Sequence, residues 1–259
     1  MRYNWINMNE QIKSSDVYRQ AFQEIKDKRN ETLKLTSDID VIWVLSQPGT
    51  YLEPSKDGAY NGLCLNKIAI DNGVSLVKQI TLLRLKEKGI DKDLDDISEQ
   101  EITDFGPFLF YNGEDKDTPG VKDLQNEDFK KVIDSGDFPL PKSKIIIDHI
   151  NEKNTLGQVS GFMKFFKDKP NINKVAIITS LPHSTRVSRY LEDYRIKHPD
   201  SFLPNIEFIG AWIPKDKIET DKSNKERTLR GARLILQEIR KAEKYYQKGD
   251  LAKDPLKGL

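Results

Sequence analysis

The chain has 259 residues, 37% hydrophobic and 32% charged, and 42 Lys and Arg against 41 Asp and Glu leave a formal charge of +1. That length can bury the core of one decorated α/β domain, while the near-cancelled charge, with no zinc-finger spacing or RNA-recognition aromatic motif, excludes nucleic acid as the expected partner. The single cysteine, Cys64, excludes an intramolecular disulfide and points to a reduced cytoplasmic compartment. No apolar run approaches the roughly 20 residues of a bilayer span, and Met1-Arg-Tyr-Asn-Trp-Ile leads into no signal-peptide core, so no membrane insertion is expected.

In chain order, Ser15 to Lys34 places Val17, Ala21, Phe22 and Ile25 at helical spacing behind a Ser-Ser-Asp start, predicting an amphipathic N-terminal helix within an extension over 1–37. Asp40-Val-Ile-Trp-Val-Leu45 is the first strand, ending in the polar turn Ser46-Gln-Pro-Gly-Thr50. A long helix follows, with Ile68, Ile70, Val74, Val77, Ile80, Thr81, Leu83 and Leu85 as its buried stripe and Gly89 as its stop. The acidic segment Asp91 to Asp104 reads as solvated charge. Pro107-Phe-Leu-Phe-Tyr111 is the second strand, with Asn112-Gly113-Glu114 as its turn, and a short helix is expected around Phe129 to Ile133.

Lys144-Ile-Ile-Ile-Asp148 is the third strand, and Asn154-Thr155 starts a helix whose buried face is Val159, Phe162, Met163 and Phe166. Val175 to Ile178 is a continuous apolar run, as a strand covered on both faces requires. It passes through Thr179 and Ser180 into a helix carrying His183, Arg186 and Arg189. Asn205 to Trp212 is the fifth strand, and Asn224 to Gln247 a long basic helix with Ile239, Ala242 and Tyr246 in its apolar stripe, fit to pack on the sheet or to pair two subunits as a homodimer. Strands alternating with helices predict a Rossmann-like three-layer α/β sandwich with a mostly parallel sheet over 38–215, flanked by the N-terminal helix and by a C-terminal helix and tail over 216–259. In such sheets ligands bind beyond the carboxyl ends of the strands. Four polar stretches then form one crevice: Ser46 to Thr50, Asn112 to Glu114, Asn154 to Gln158 and Thr179 to Arg189.

Four motifs resemble the YdcF-like (SanA/ElyC/YdcF) family. They are Val41-Ile-Trp-Val-Leu-Ser-Gln-Pro-Gly-Thr50, Tyr111-Asn-Gly-Glu114, Asn154-Thr155-Leu-Gly-Gln158 and Ile177-Ile-Thr179-Ser-Leu-Pro-His183-Ser-Thr-Arg186, spanning roughly Asp38 to Pro214. The first turn has one glycine where the family has two or three, and Asn112 and Glu114 replace small residues in the second. The resemblance implies a nucleotide-like anionic ligand, with S-adenosylmethionine the named candidate, and no defined reaction. It implies ligand contacts from Ser46, Gln47, Gly49, Asn112, Gly113, Asn154, Thr155, Gln158, Thr179, Ser180 and Arg186.

By residue chemistry, Arg186 suits bidentate contact with phosphate or carboxylate, and His183 suits general acid/base work. His183 as a plain helix cap is the alternative; the rigid turn at Pro182 and the cluster of polar side chains favour the ligand role. Glu114 is a second candidate acid, better placed than Asp40 because it follows a strand end. Arg189 either extends the site or pairs with Glu192. A solvated Arg186 facing an open crevice would contribute to binding and hardly to stability. His149 and His198 with Asp148 or Asp200 lack metal-ligand spacing, so no metal is expected. The expected function is a cytoplasmic binder of a small anionic molecule, a transferase or hydrolase if it turns over; the alternative is a non-catalytic regulatory or interaction protein in envelope or polysaccharide metabolism.

Overall fold

The computed structural model describes residues 20, 23, 35–45, 65–113, 126–136, 138–148, 154–169, 171–179, 181–210, 239–252 and 254–255. Five strands build one sheet: β1 (Val41–Leu45), β2 (Phe108–Asn112), β3 (Ile145–Ile147), β4 (Lys174–Thr179) and β5 (Asn205–Gly210). All pairings are parallel and the spatial order is β3-β2-β1-β4-β5. The chain therefore winds outward from β1 to β3 and then returns to lay β4 on the other side of β1. That reversal puts the topological switch point between β1 and β4, whose registers run from Val41 against Val175 to Val44 against Ile178.

The helices are α1 (Leu65–Glu87), α2 (Glu99–Phe105), α3 (Asn126–Asp134), α4 (Thr155–Phe166) and α5 (Leu181–Lys197), and a sixth helical segment is described over 239–247. Alternate strand residues send their side chains to opposite faces, so each face carries its own core. Ile42, Val44, Leu109, Tyr111, Ala176 and Ile178 pack with α1, α2 and α3. Val41, Trp43, Phe110, Val175 and Ile177 pack with α4 and α5 on the other face. There the Trp43 indole stacks on Phe162, centroids 3.9 Å apart and planes within 4°. α1 lies so close to the sheet that a Cβ on Gly73 would stand 2.8 Å from Leu109 Cδ1 and 2.9 Å from Val44 Cγ2. A side chain here would force these methyl groups to move.

The expected α/β sandwich with a parallel sheet is present. In the acidic segment Asp91, Asp93, Asp95, Asp96, Glu99 and Asp104 are exposed, as expected of solvated charge. The segment also forms a helix not read from the sequence: Ser98 caps α2, its Oγ accepting from Glu101 N while the Glu101 carboxylate accepts from Ser98 N, and Ile97 and Ile102 are buried beneath. Of the N-terminal extension over 1–37, Gln20 and Gln23 are described, both helical, together with residues 35–37, which lead into the sheet; the rest of the expected helix lies outside the described residues. In the C-terminal helix Ile239 and Ala242 are buried, and the latter belongs to the α4/α5 core. Tyr245, not Tyr246, turns inward, its ring 6.3 Å from that of Tyr190, while Tyr246 is exposed.

The strands start from a tied amino edge. Asp40 accepts backbone N–H bonds from Asn173 and Lys174 at 2.7 and 3.1 Å. Arg84 donates to the carbonyls of Ser37, Phe105 and Ile39 at 2.7 to 2.8 Å. Asp40 thus serves the framework at the edge opposite the expected crevice.

Candidate functional site

β3 leads to α4 and β4 leads to α5, so both helices begin at the carboxyl edge on the same side of the sheet. Their first turns meet. Asn154 caps α4, its Oδ1 accepting from Gly157 N at 3.0 Å, as the sequence indicated. Thr155 opens the helix at 5% exposure, and its Oγ1 lies 3.1 Å from Nε2 of His183 in the first turn of α5. The other ring nitrogen, Nδ1, lies 3.1 Å from Oγ1 of Thr179, the last residue of β4. An imidazole carrying one proton satisfies both contacts in either tautomer, donating to one threonine and accepting from the other. Arg186, one helical turn on, donates from Nη1 to the same Thr155 Oγ1 at 2.7 Å.

The sequence thus named four residues, Thr155, Thr179, His183 and Arg186, that the fold brings into one bonded chain. Its picture of Arg186 needs correction. The guanidinium is not solvated: the residue is 8% exposed and also donates to Tyr190, whose hydroxyl sits under the same cover. Burial pushes the Tyr190 phenol up to about 12, against the opposing pull of the Arg186 charge. Tyr190 was missed from the sequence. Its signal was the i, i+4 spacing to Arg186.

α5 is polar and nevertheless buried from His183 to Glu192. Ser184, Thr185, Ser188 and Arg189 join His183 and Arg186 with at most 8% exposure each. Arg189 is fully buried and donates to the Thr185 carbonyl at 2.8 Å. Glu192 gives both carboxylate oxygens to Arg195, at 2.7 and 2.5 Å, and not to Arg189, one of the two roles the sequence left open for that arginine.

Asn112 and Gln158 form a second buried group beside the first. Asn112, the last residue of β2, accepts from Trp43 Nε1 at 2.8 Å and donates to the Gln158 carbonyl at 2.8 Å. Gln158 Nε2 returns a bond to the Asn112 carbonyl at 2.9 Å. This exchange ties β2 to α4 and lets the polar edge of the tryptophan enter a core of phenylalanine rings and aliphatic side chains. Gly113 is buried next to it. Leu156, by contrast, stands 39% exposed next to Thr155 and offers apolar surface beside it.

Ser46, Gln47, Gly49, Glu114 and Ser180 lie outside the described residues, as does Cys64. Among the described residues no group of three or more His, Cys, Asp or Glu side chains has the arrangement to hold a metal ion, and no helix is long and apolar enough to cross a membrane. Comparison with protein-family models, with curated proteins and with solved structures finds no match to this chain.

Proposed function

We propose that the chain binds a small ligand bearing a phosphate or carboxylate at the carboxyl edge of the sheet, beside the switch point between β1 and β4. The observation that carries this is the junction of two helix starts, α4 and α5, within one hydrogen-bonded group that also holds a guanidinium. Each helix start carries the positive end of a dipole, so two of them with Arg186 make a local field that favours an anion even though the chain is nearly neutral overall. Thr155 and Tyr190 hold the guanidinium in place before any ligand arrives, which lowers the ordering cost of binding. Exposed Leu156 supplies a contact for an apolar or aromatic portion, so the reading is a nucleotide-type ligand, with S-adenosylmethionine included because it joins a carboxylate to an adenosine. The motif resemblance to the YdcF-like family agrees with this choice of ligand. A transferase or hydrolase activity belongs to the same proposal, with His183 as the proton-handling group.

One observation favours binding without turnover. Both His183 nitrogens are engaged by threonines inside the fold and the residue is 3% exposed, so proton exchange with a substrate requires one of these bonds to break first. The test is a thermal melt with inorganic phosphate, a nucleotide panel, S-adenosylmethionine and sugar phosphates. A ligand present at about a hundred times its Kd stabilises by about 2.7 kcal/mol, which raises Tm by several degrees in a chain of this size. An unchanged Tm across the whole panel removes the proposal.

A further inference from the structure

A cavity among the described residues lies at the other end of the sheet. It measures about 630 Å³, within the range of small-molecule sites. Its walls come from α1, α2, the end of α3 and residues 138–143, which precede β3, so it opens at the edge where β2 and β3 begin. The floor is apolar: Ile97, Ile102, Ile133 and Leu140 are at most 9% exposed, and Phe138 packs against them. Pro139 and Pro141 flank Leu140 and fix the backbone of one wall, so the cavity is present without a ligand.

Two cations line this cavity. Lys142 is paired with Asp134 at 3.2 Å. Lys78, half-buried on α1, has no hydrogen-bond or ion-pair partner among the described residues. A half-buried ammonium beside an apolar floor loses hydration without a compensating charge, and a ligand that brings one restores it. Glu99, the first residue of α2, stands in the same lining and opposes an anion, so a single negative charge is favoured over a polyanion such as a nucleotide.

We propose that this cavity is a second binding site, distinct from the carboxyl-edge site, for an amphipathic monoanion: a carboxylate whose head pairs with Lys78 and whose apolar body covers the Ile97, Ile102 and Leu140 floor. The experiment is calorimetric titration of the full chain with decanoate below its micelle concentration, and with decanol as the uncharged partner of equal chain length. Decanoate binds at one saturable site, and decanol about tenfold more weakly. Lys78→Met keeps the apolar stem that covers the helix and removes the charge; it lowers decanoate affinity about tenfold and leaves decanol unchanged, the loss of one partly buried ion pair. Glu99→Gln tightens decanoate. Ser143→Trp, at an exposed position on the rim, blocks both ligands. Far-UV circular dichroism and melts of each variant confirm that it folds. The proposal is overturned by no saturable decanoate binding, by equal affinity for decanoate and decanol, or by binding that survives Lys78→Met or Ser143→Trp unchanged.

Discussion

Replacing Arg186 by alanine removes the donor to Thr155 Oγ1 at 2.7 Å and the bond to Tyr190 in a place only 8% exposed. A hydrogen bond from a charged group contributes about 1.5–3 kcal/mol net. The two bonds together, less the desolvation penalty that the absent guanidinium no longer carries, give an expected loss of about 2–4 kcal/mol. For a chain of this length each kcal/mol moves Tm by about 2–4 °C, so the variant melts about 4–16 °C below the parent. Arg186→Lys recovers part of the loss, because an ammonium keeps the charge but cannot reach Thr155 and Tyr190 with one planar fork. Urea denaturation followed by far-UV circular dichroism gives the stability. Ligand titration under conditions where each variant is folded gives the separate effect on binding. Stability within about 0.5 kcal/mol of the parent, the range of an ordinary surface substitution, would refute the view that Arg186 is anchored in the framework of the site.

Asn112→Ala deletes the acceptor of Trp43 Nε1 and the donor to the Gln158 carbonyl. Leaving those buried groups unpaired costs about 2–4 kcal/mol in urea denaturation, a loss that a fully solvated Asn112 would not show. Asn154→Ala removes the α4 cap and lowers stability by about 1 kcal/mol, whereas Asn154→Asp preserves it. Gly73→Val forces branched carbons against Leu109 and Val44 and destabilises by about 1–3 kcal/mol; parental stability would mean α1 sits farther from the sheet. Lys92 and the Ser98 cap hold the Glu101 carboxyl at about 2, below its ordinary 4.5. Its stabilising effect is therefore complete above pH 4.5 and lost as pH falls towards 2, and Glu101→Gln flattens acid unfolding in that window only, as acid titration by circular dichroism checks.

The central strands β1 and β4 were legible because each is a short apolar run whose burial on two faces leaves no alternation to misread. Val41 to Leu45 and Val175 to Thr179 are buried throughout. The start of α4 was legible to the residue, since Asn154 is a good cap, and its buried face was read from Val159, Phe162, Met163 and Phe166 recurring at helical spacing. α2 was not, because Ile102 is its sole buried residue and its charges mask the stripe, although Ser98 and Glu101 stand at capping-box spacing. In the candidate site, residue types were readable but not their environment. Nothing local says that Thr155 bonds a histidine 28 positions away, or that a helix as polar as α5 is covered on its Arg186 and Arg189 side. Burial is a property of the packing around a residue. The sequence shows the guanidinium and its charge, while the fold decides whether water reaches it.

The most direct test of the anion site is a backbone amide NMR titration with inorganic phosphate and then with the tightest nucleotide or S-adenosylmethionine hit from thermal melts. Saturable shifts are expected at Thr155, Leu156 and the first turn of α5, with smaller ones at Asn112 and Gly113 and none at Lys78 or Ser143 across the sheet. Shifts confined to the amino edge, or no saturable shift at the starts of α4 and α5, would contradict a binding site at the carboxyl edge.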